Sequence, residues 1–254
     1  MKRVQAFGGG VQSVTLLRMI LAGEVDQVDA VVFADTQAEP QHVYEVVERE
    51  KALCDAAGIP FYIVTHGNLA TDWQKRSPTR TKASFHVPLF TKPLEGGRAG
   101  MLMRSCTGVY KIDVIAKLLR NLGWKKEGVE LFMGISTDEI RRVKPSLKSY
   151  ITNRYPLIEA DMRRGDCHAY LARLGISAAK SACVFCPYRS AASWRAVKDN
   201  PSDWTAAVEY DRGIRDARPG YQLFVHVSCT PLESAVMDDE PSLFDDECAG
   251  VCGV

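Results

Sequence analysis

Two thiols three residues apart, in Cys183-Val184-Phe185-Cys186, carry the clearest chemistry in the chain. A C-x-x-C pair in a reducing compartment reads as a zinc site, an iron–sulfur site or a dithiol couple, because a thiolate is both a soft metal ligand and a redox group. Pro187 suits a first helical turn, which would put Cys186 at a helix start. Cys106 precedes a helix expected from about Thr107, and Cys167 follows Asp166, a good N-cap. Three thiols distant in sequence would then each meet a helix N-terminus, where the dipole and free N–H groups favour thiolate. Four thiolates around a [4Fe-4S] core make an anionic assembly that such positions would stabilise.

The second signal is Phe7-Gly8-Gly9-Gly10-Val11-Gln12-Ser13, set between the apolar run Val4 to Phe7 and a helical stripe with Val14, Leu17 and Leu21. A strand that ends in glycines and turns into a helix aims successive N–H groups at an anion, which is phosphate chemistry. Neither G-x-G-x-x-G nor G-x-x-x-x-G-K-[ST] fits the segment. A tight turn needing glycine for geometry alone is the alternative.

The elements that must position these groups alternate. Short β-branched runs at Val4 to Phe7, Ala30 to Ala34, Phe61 to Val64 and Glu130 to Ile135 are separated by helical patterns, as in a parallel sheet covered on both faces. One helix is expected from Pro40 to Gly58, with Cys54 on its apolar stripe as a structural thiol, and another from Thr107 to Gly123. Residues 65–103 have no clean period and read as a long functional loop. This divides the chain into an α/β domain over 1–151, a smaller Cys-containing helical subdomain over 152–228, and an acidic, Cys-bearing tail over 229–254.

The formal net charge of the 254 residues is +1, so global attraction to nucleic acid or membrane is not implied. The charge is uneven, however. Lys75, Arg76, Arg80, Lys82, Lys92, Arg98 and Arg104 face only Glu95 between Trp73 and Arg104, and acids crowd the chain after Arg218. The start MKRVQAF has no apolar run behind it and no stretch is long enough to span a bilayer, so a cytoplasmic protein with reduced cysteines is expected.

The glycine segment resembles the PP-loop, S-G-G-x-D-S, of the ATP pyrophosphatase and phosphoadenosine phosphosulfate (PAPS) reductase superfamily. Gly9, Gly10 and Ser13 match, while Gly8, Val11 and Gln12 depart from it. Ala34-Asp35-Thr36-Gln37-Ala38-Glu39 resembles the D-T-G-x-E segment of the same reductases, and Gly134-Ile135-Ser136-Thr137-Asp138-Glu139 with Arg142 their G-x-R-x-x-E-S segment. Arg104-Ser105-Cys106-Thr107-Gly108-Val109-Tyr110-Lys111 resembles the C-C-x-x-R-K segment of iron–sulfur adenylylsulfate (APS) reductases, with Thr107 where a second cluster cysteine would be. Glu247-Cys248 resembles the start of their E-C-G-L-H tail; Cys252 has no counterpart there.

The resemblance implies a Rossmann-like α/β fold of the adenine nucleotide alpha hydrolase type, with a small helical iron–sulfur subdomain. It implies a [4Fe-4S] cluster on Cys106, Cys183 and Cys186 that Thr107 leaves one ligand short; Cys167 is the candidate for the fourth, and zinc is the competing metal. Phe7, Gly8, Gly9, Gly10, Gln12, Ser13, Asp35, Thr36, Gly134, Arg104 and Arg142 would bind the nucleotide. Cys248, Cys252 and Lys111 would act in catalysis.

Three functions follow, the first being the leading expectation and the other two its alternatives. A sulfonucleotide reductase would use PAPS or APS and a thiol or thioredoxin-like reductant, with Cys248 as nucleophile. An ATP-pyrophosphatase-type sulfurtransferase would use ATP with Mg to adenylylate and thiolate a nucleic acid or small acceptor. A nucleotide-binding redox sensor would catalyse nothing.

Overall fold

The computed structural model describes residues 1–75 and 84–237. The chain runs through β1 (Lys2–Phe7), α1 (Val11–Leu21), β2 (Ala30–Asp35), α2 (Gln41–Ala56), β3 (Phe61–Thr65), β4 (Phe90–Pro93) and β5 (Gly100–Met101). It continues through α3 (Asp113–Asn121), β6 (Val129–Met133), β7 (Ile151–Arg154), α4 (Pro156–Glu159) and α5 (Arg164–Arg173). The last elements are α6 (Ala191–Lys198), α7 (Pro201–Ile214) and β8 (Tyr221–Phe224).

Five strands form one parallel sheet in the order β3-β2-β1-β6-β7. Side chains alternate across it, and both sets are apolar because both faces are covered. Val4, Ala6, Val32 and Ala34 pack against Ile115, Ala116 and Leu119 around α3. Phe7, Val31 and Phe33 share the opposite core with Val14, Leu17 and Ile20 of α1 and Val43, Val46 and Val47 of α2. This is the parallel α/β architecture expected from the alternation, of the Rossmann-like type that the resemblance implies. Helix α1 holds without a side-chain N-cap. Each of its fully buried aliphatic side chains contributes about 1.5–3 kcal/mol, more than the about 1 kcal/mol that a cap supplies. A buried glutamine adds to this, with Gln5 Nε2 donating to the Ser13 carbonyl at 2.8 Å.

A second core departs from the sequence expectation. The segment expected to be an irregular loop contains β4 and β5, and β4 pairs with both β5 and β8 in an antiparallel sheet. Leu89, Tyr110, Phe185, Trp194, Tyr210 and Leu223 pack together beside it. The part expected to be helical therefore includes a strand, and its core draws on Leu69, Val87, Leu89 and Tyr110 as well as on side chains between Val184 and Leu232. Strand β4 is four residues long and finds its partner far along the chain, so it leaves no local periodicity. Helix α5, placed by the sequence reading in the smaller subdomain, packs Cys167 and Leu171 into the core shared with α1. Leu232, in the segment expected to be a tail, is buried.

Candidate functional site

Sheet order reverses between β1 and β6, and ligands of open α/β sheets bind beyond the carboxyl ends of the strands at such a point. Here β1 runs into Gly8, Gly9 and Gly10 and β6 into Gly134. Gly9 takes φ +73°, and a Cβ on it would stand 2.7 Å from Val43 Cγ1, so conformation and space both require glycine. A Cβ on Gly10 would stand 2.8 Å from Ser181 Oγ. Gly10 is the N-cap of α1, whose first turn has no side-chain cap and no acid. Such a terminus leaves amide donors and positive potential for an anion.

The neighbouring side chains brace this loop. Ser13 Oγ donates to the Gly10 carbonyl at 3.0 Å, and Gln12 Nε2 donates to Ser136 Oγ at 3.3 Å. Gly8 is buried and Phe7 lies in the core, edge-on to Phe61. Asp35 Oδ1 accepts from the Gln37 amide at 2.7 Å and from Tyr44 Oη at 3.1 Å. Asp35 thus shapes the turn in which Gln37 takes φ +56°. Burial, then the Asp35 charge, raises the Tyr44 pKa. The amide of Gln41, first residue of α2, donates to Asp203 Oδ1 at 3.1 Å, so a residue distant in sequence caps this helix. Arg142 pairs with the buried Glu139 at 2.5 Å, which engages the guanidinium expected to meet a phosphate.

The structure brings Cys106, Cys183 and Cys186 to the wall of one pocket, together with Thr36, Arg104 and Lys111. Cys106 begins a helical stretch that passes through a π-helical segment, Gly108–Ile112, into α3. Such insertions recur at functional sites. Under the pocket lies Glu39, only 5% exposed. Its Oε1 accepts from Thr36 Oγ1 at 3.1 Å and Lys111 Nζ at 3.3 Å, with Cys183 Sγ at 3.9 Å. Burial pushes the Cys183 thiol up, Glu39 adds to the shift and Lys111 opposes it. Arg189 braces the segment from behind, donating to the carbonyls of Ala182 at 2.7 Å and Cys183 at 3.0 Å. Burial lowers its pKa, against the charges of Cys186 and Cys183. Arg104 lies over the Tyr188 ring at 5.7 Å and donates to Thr107 Oγ1.

Several expected positions differ. Cys167 does not join the other three thiols. It is fully buried in α5 against α1, its carbonyl accepts from Thr15 Oγ1 at 3.3 Å, and burial pushes its thiol up to about 11. The N-cap of α5 is Arg163, with Asp166 accepting from the Arg163 amide at 2.8 Å. Cys186 is not at a helix start either: Pro187 falls in a turn, and α6 begins at Ala191, capped by Ser190. Cys248 and Cys252 lie outside the described residues.

Sequence reasoning missed Tyr188 and Arg189 and gave Glu39, the acid of the D-T-G-x-E-like segment, no role of its own. Glu39 had a signal, since it stands three residues beyond Thr36 at the end of β2. Arg189 had only its nearness to Cys186. Thr36, expected at the nucleotide, has its Oγ1 3.4 Å from Cys183 Sγ.

Among the described residues no three His, Cys, Asp or Glu side chains are grouped so as to hold a metal ion directly. Cys106, Cys183 and Cys186 share their pocket with the basic side chains of Lys111 and Arg104. Among the described residues, no helix is long and apolar enough to cross a membrane.

No family model and no curated protein matches the chain. Among solved structures, the chain is similar to the U34-tRNA thiolase NcsA from Methanococcus maripaludis with its [4Fe-4S] cluster, at 13% identity and a TM-score of 0.43. The match covers 84% of this chain and 72% of that one. A likeness of this extent does not bear on the activity of the chain.

Proposed function

We propose that the chain is an iron–sulfur enzyme that binds ATP, adenylylates an oxygen of its acceptor and replaces that oxygen with sulfur. The observation that carries this reading is a pocket lined by three thiols, with Cys167 in the core and Thr107 where the resemblance would put a further cysteine. Cys106, Cys183 and Cys186 would hold the cluster, and among the described residues no fourth thiol lines the pocket. When bound, such a cluster supplies a soft Lewis-acid position able to take a sulfur ligand. A closed four-thiolate site offers no such position.

The chain's own residues supply the rest. The glycine-loop amides and the N-terminus of α1 hold the oligophosphate, charged with Mg, at the sheet crevice. The acceptor oxygen attacks the α-phosphorus and pyrophosphate leaves with the electrons of the broken P–O bond. A sulfur nucleophile then attacks the activated carbon, and AMP leaves with the acceptor oxygen. Lys111 and Arg104 set positive charge beside the thiols, where negative charge collects. The basic residues of the 73–104 stretch suit a nucleic acid acceptor, and the proposed setting is the reducing cytoplasm.

A second reading, a sulfonucleotide reductase with Cys248 as nucleophile and a thiol or thioredoxin-like reductant, draws support from Cys106 and Lys111 lining the same pocket. One pair of assays separates the readings. Protein purified without oxygen, with iron and sulfide counted, is given Mg-ATP and acceptor nucleic acid or PAPS. Pyrophosphate release with sulfur entering the acceptor supports the first reading, and sulfite release the second. Metal-replete protein that releases neither favours a non-catalytic redox sensor and defeats both.

A further inference from the structure

The turn from Cys183 to Cys186 is closed by the Cys186 amide, which donates to the Cys183 carbonyl at 2.9 Å, and is pinned beside β2 by the Val184 amide, which donates to the Ala38 carbonyl at 2.9 Å. Arg189 fastens the same Cys183 carbonyl. Its Nη2 donates there at 3.0 Å and to the Ala182 carbonyl at 2.7 Å, and its Nε donates to the Cys183 carbonyl at 3.3 Å. Nη1 donates to Ser193 Oγ at 2.7 Å. All these acceptors are neutral. Ser193 belongs to the first turn of α6, which carries no acid, so the guanidinium stands against the positive end of a helix dipole. A cation withdrawn from water is ordinarily matched by an anion. The charges of Cys186 and Cys183 act on Arg189 more strongly than those of Glu39 and Asp203 do. Lys111 differs, because Glu39 pairs with it at 3.3 Å and offsets its charge.

We propose that Arg189 is a positioning residue for the cluster: it holds the backbone of Cys183 while its fixed charge, together with the N-terminus of α6, balances the thiolate assembly and raises the reduction potential of the cluster. This rests on the iron–sulfur reading. Arginine stays protonated where it is buried, and three of its four bonds go to the carbonyls of Ala182 and Cys183, so the charge is held in one place. A fixed cation near a cluster favours the reduced form, which carries one more negative charge.

One-electron redox titration of anaerobic, iron-replete protein, followed by visible absorption and by EPR of the reduced state, tests this with Arg189→Gln and Arg189→Lys. Arg189→Gln should move the midpoint to a more negative value, by about tenfold in the equilibrium constant for reduction, which is about 59 mV for one electron. Arg189→Lys keeps the charge and should stay close to wild type. Iron and sulfide counts and thermal melts are taken on each protein. Loss of iron from Arg189→Gln alone, with its melt intact, also supports the proposal, because the charge is then needed to hold the anionic assembly. An unshifted midpoint in cluster-bearing Arg189→Gln, or a shift in Arg189→Lys as large as in Arg189→Gln, overturns it. So does loss of the cluster or of the cooperative melt from both variants, which would make the guanidinium fork a support of the fold alone. Wild-type protein that takes up no iron overturns the iron–sulfur reading as well, so the two failures are told apart.

Discussion

A Cβ on Gly134 would stand 2.8 Å from the amide nitrogen of Ser13 and 2.9 Å from its Cα, so the end of β6 and the first turn of α1 meet backbone to backbone. No side-chain rotation can relieve a methyl group there. The contact fixes the glycine loop against the strand across the sheet's switch point, which gives it a functional consequence. Gly134→Ala should cost about 1–3 kcal/mol, the usual penalty of overpacking, and should weaken nucleotide binding by displacing the α1 amides. Gly165→Ala is the control, because a Cβ there meets nothing within 4 Å. Urea midpoints and nucleotide titrations of the two variants give the comparison. Equal affinities for Gly134→Ala and wild type would separate Gly134 from the site.

The cysteines divide into two classes that one measurement distinguishes. Cys106, Cys183 and Cys186 line the pocket, whereas Cys167 and Cys54 are fully buried in the core beside α1 and α2. Serine at any of the first three should lower iron and sulfide counts and bleach the visible absorption of anaerobic protein. Cys167→Ala and Cys54→Ala should keep iron and colour while lowering the urea midpoint, because each removes packed volume from a core. Loss of iron in Cys167→Ala, with its fold intact, would restore Cys167 as a ligand.

Four strands of the parallel sheet were legible because each is a local run of β-branched and apolar residues, whereas the edge strand β7, Ile-Thr-Asn-Arg, has no such run and was not expected; the glycine loop was legible because φ +73° at Gly9 selects its residue type. The pocket was legible in part. Cys183 and Cys186 announce themselves by spacing, and Cys106 by the helix behind it. Cys167 misled for a physical reason: a cysteine in the first turns of a helix looks the same whether its side chain faces a cluster or a neighbouring helix. The second core was hidden because β4 and β8 pair across a long separation, Phe90 opposite Phe224. The partnership of Glu39 with Lys111 is likewise tertiary, set by the end of β2 meeting the start of α3.

Asp211 ties the second core together. It is 1% exposed; Oδ1 accepts from the Val225 amide at 3.0 Å, and Oδ2 accepts from the Leu232 amide at 3.0 Å and from Arg215. One carboxylate therefore joins α7, the end of β8 and the segment that follows it. Asp211→Ala would strand two amides and a cation, and breaking a buried pair by removing one partner costs about 3–5 kcal/mol. Denaturant unfolding should register a loss of that order. A loss below about 1 kcal/mol, the scale of an exposed pair, would mean that these donors find other partners.

His226 gives the second core an acid sensitivity. The residue is 7% exposed, and its Nδ1 lies 2.8 Å from Ser228 Oγ and 3.3 Å from the Ser228 amide nitrogen. Burial lowers its pKa below the ordinary histidine value, while Asp211 acts weakly in the opposite sense. The unfolded chain, whose histidine titrates near about 6.5, takes up this proton before the folded chain does. Stability is therefore unaffected by His226 above that pH. It is lost as pH falls from about 6.5 toward the folded value, at no more than about 1.4 kcal/mol per pH unit for one proton. Below the folded value the loss stops growing. His226→Gln keeps a polar group but removes the titration, so its urea midpoint should be lower than wild type near neutrality and flatter on acidification to about pH 5. Carboxylates titrate in both proteins and cancel in the difference. Parallel stability curves for the two proteins between pH 7 and 5 would show that His226 does not carry the effect.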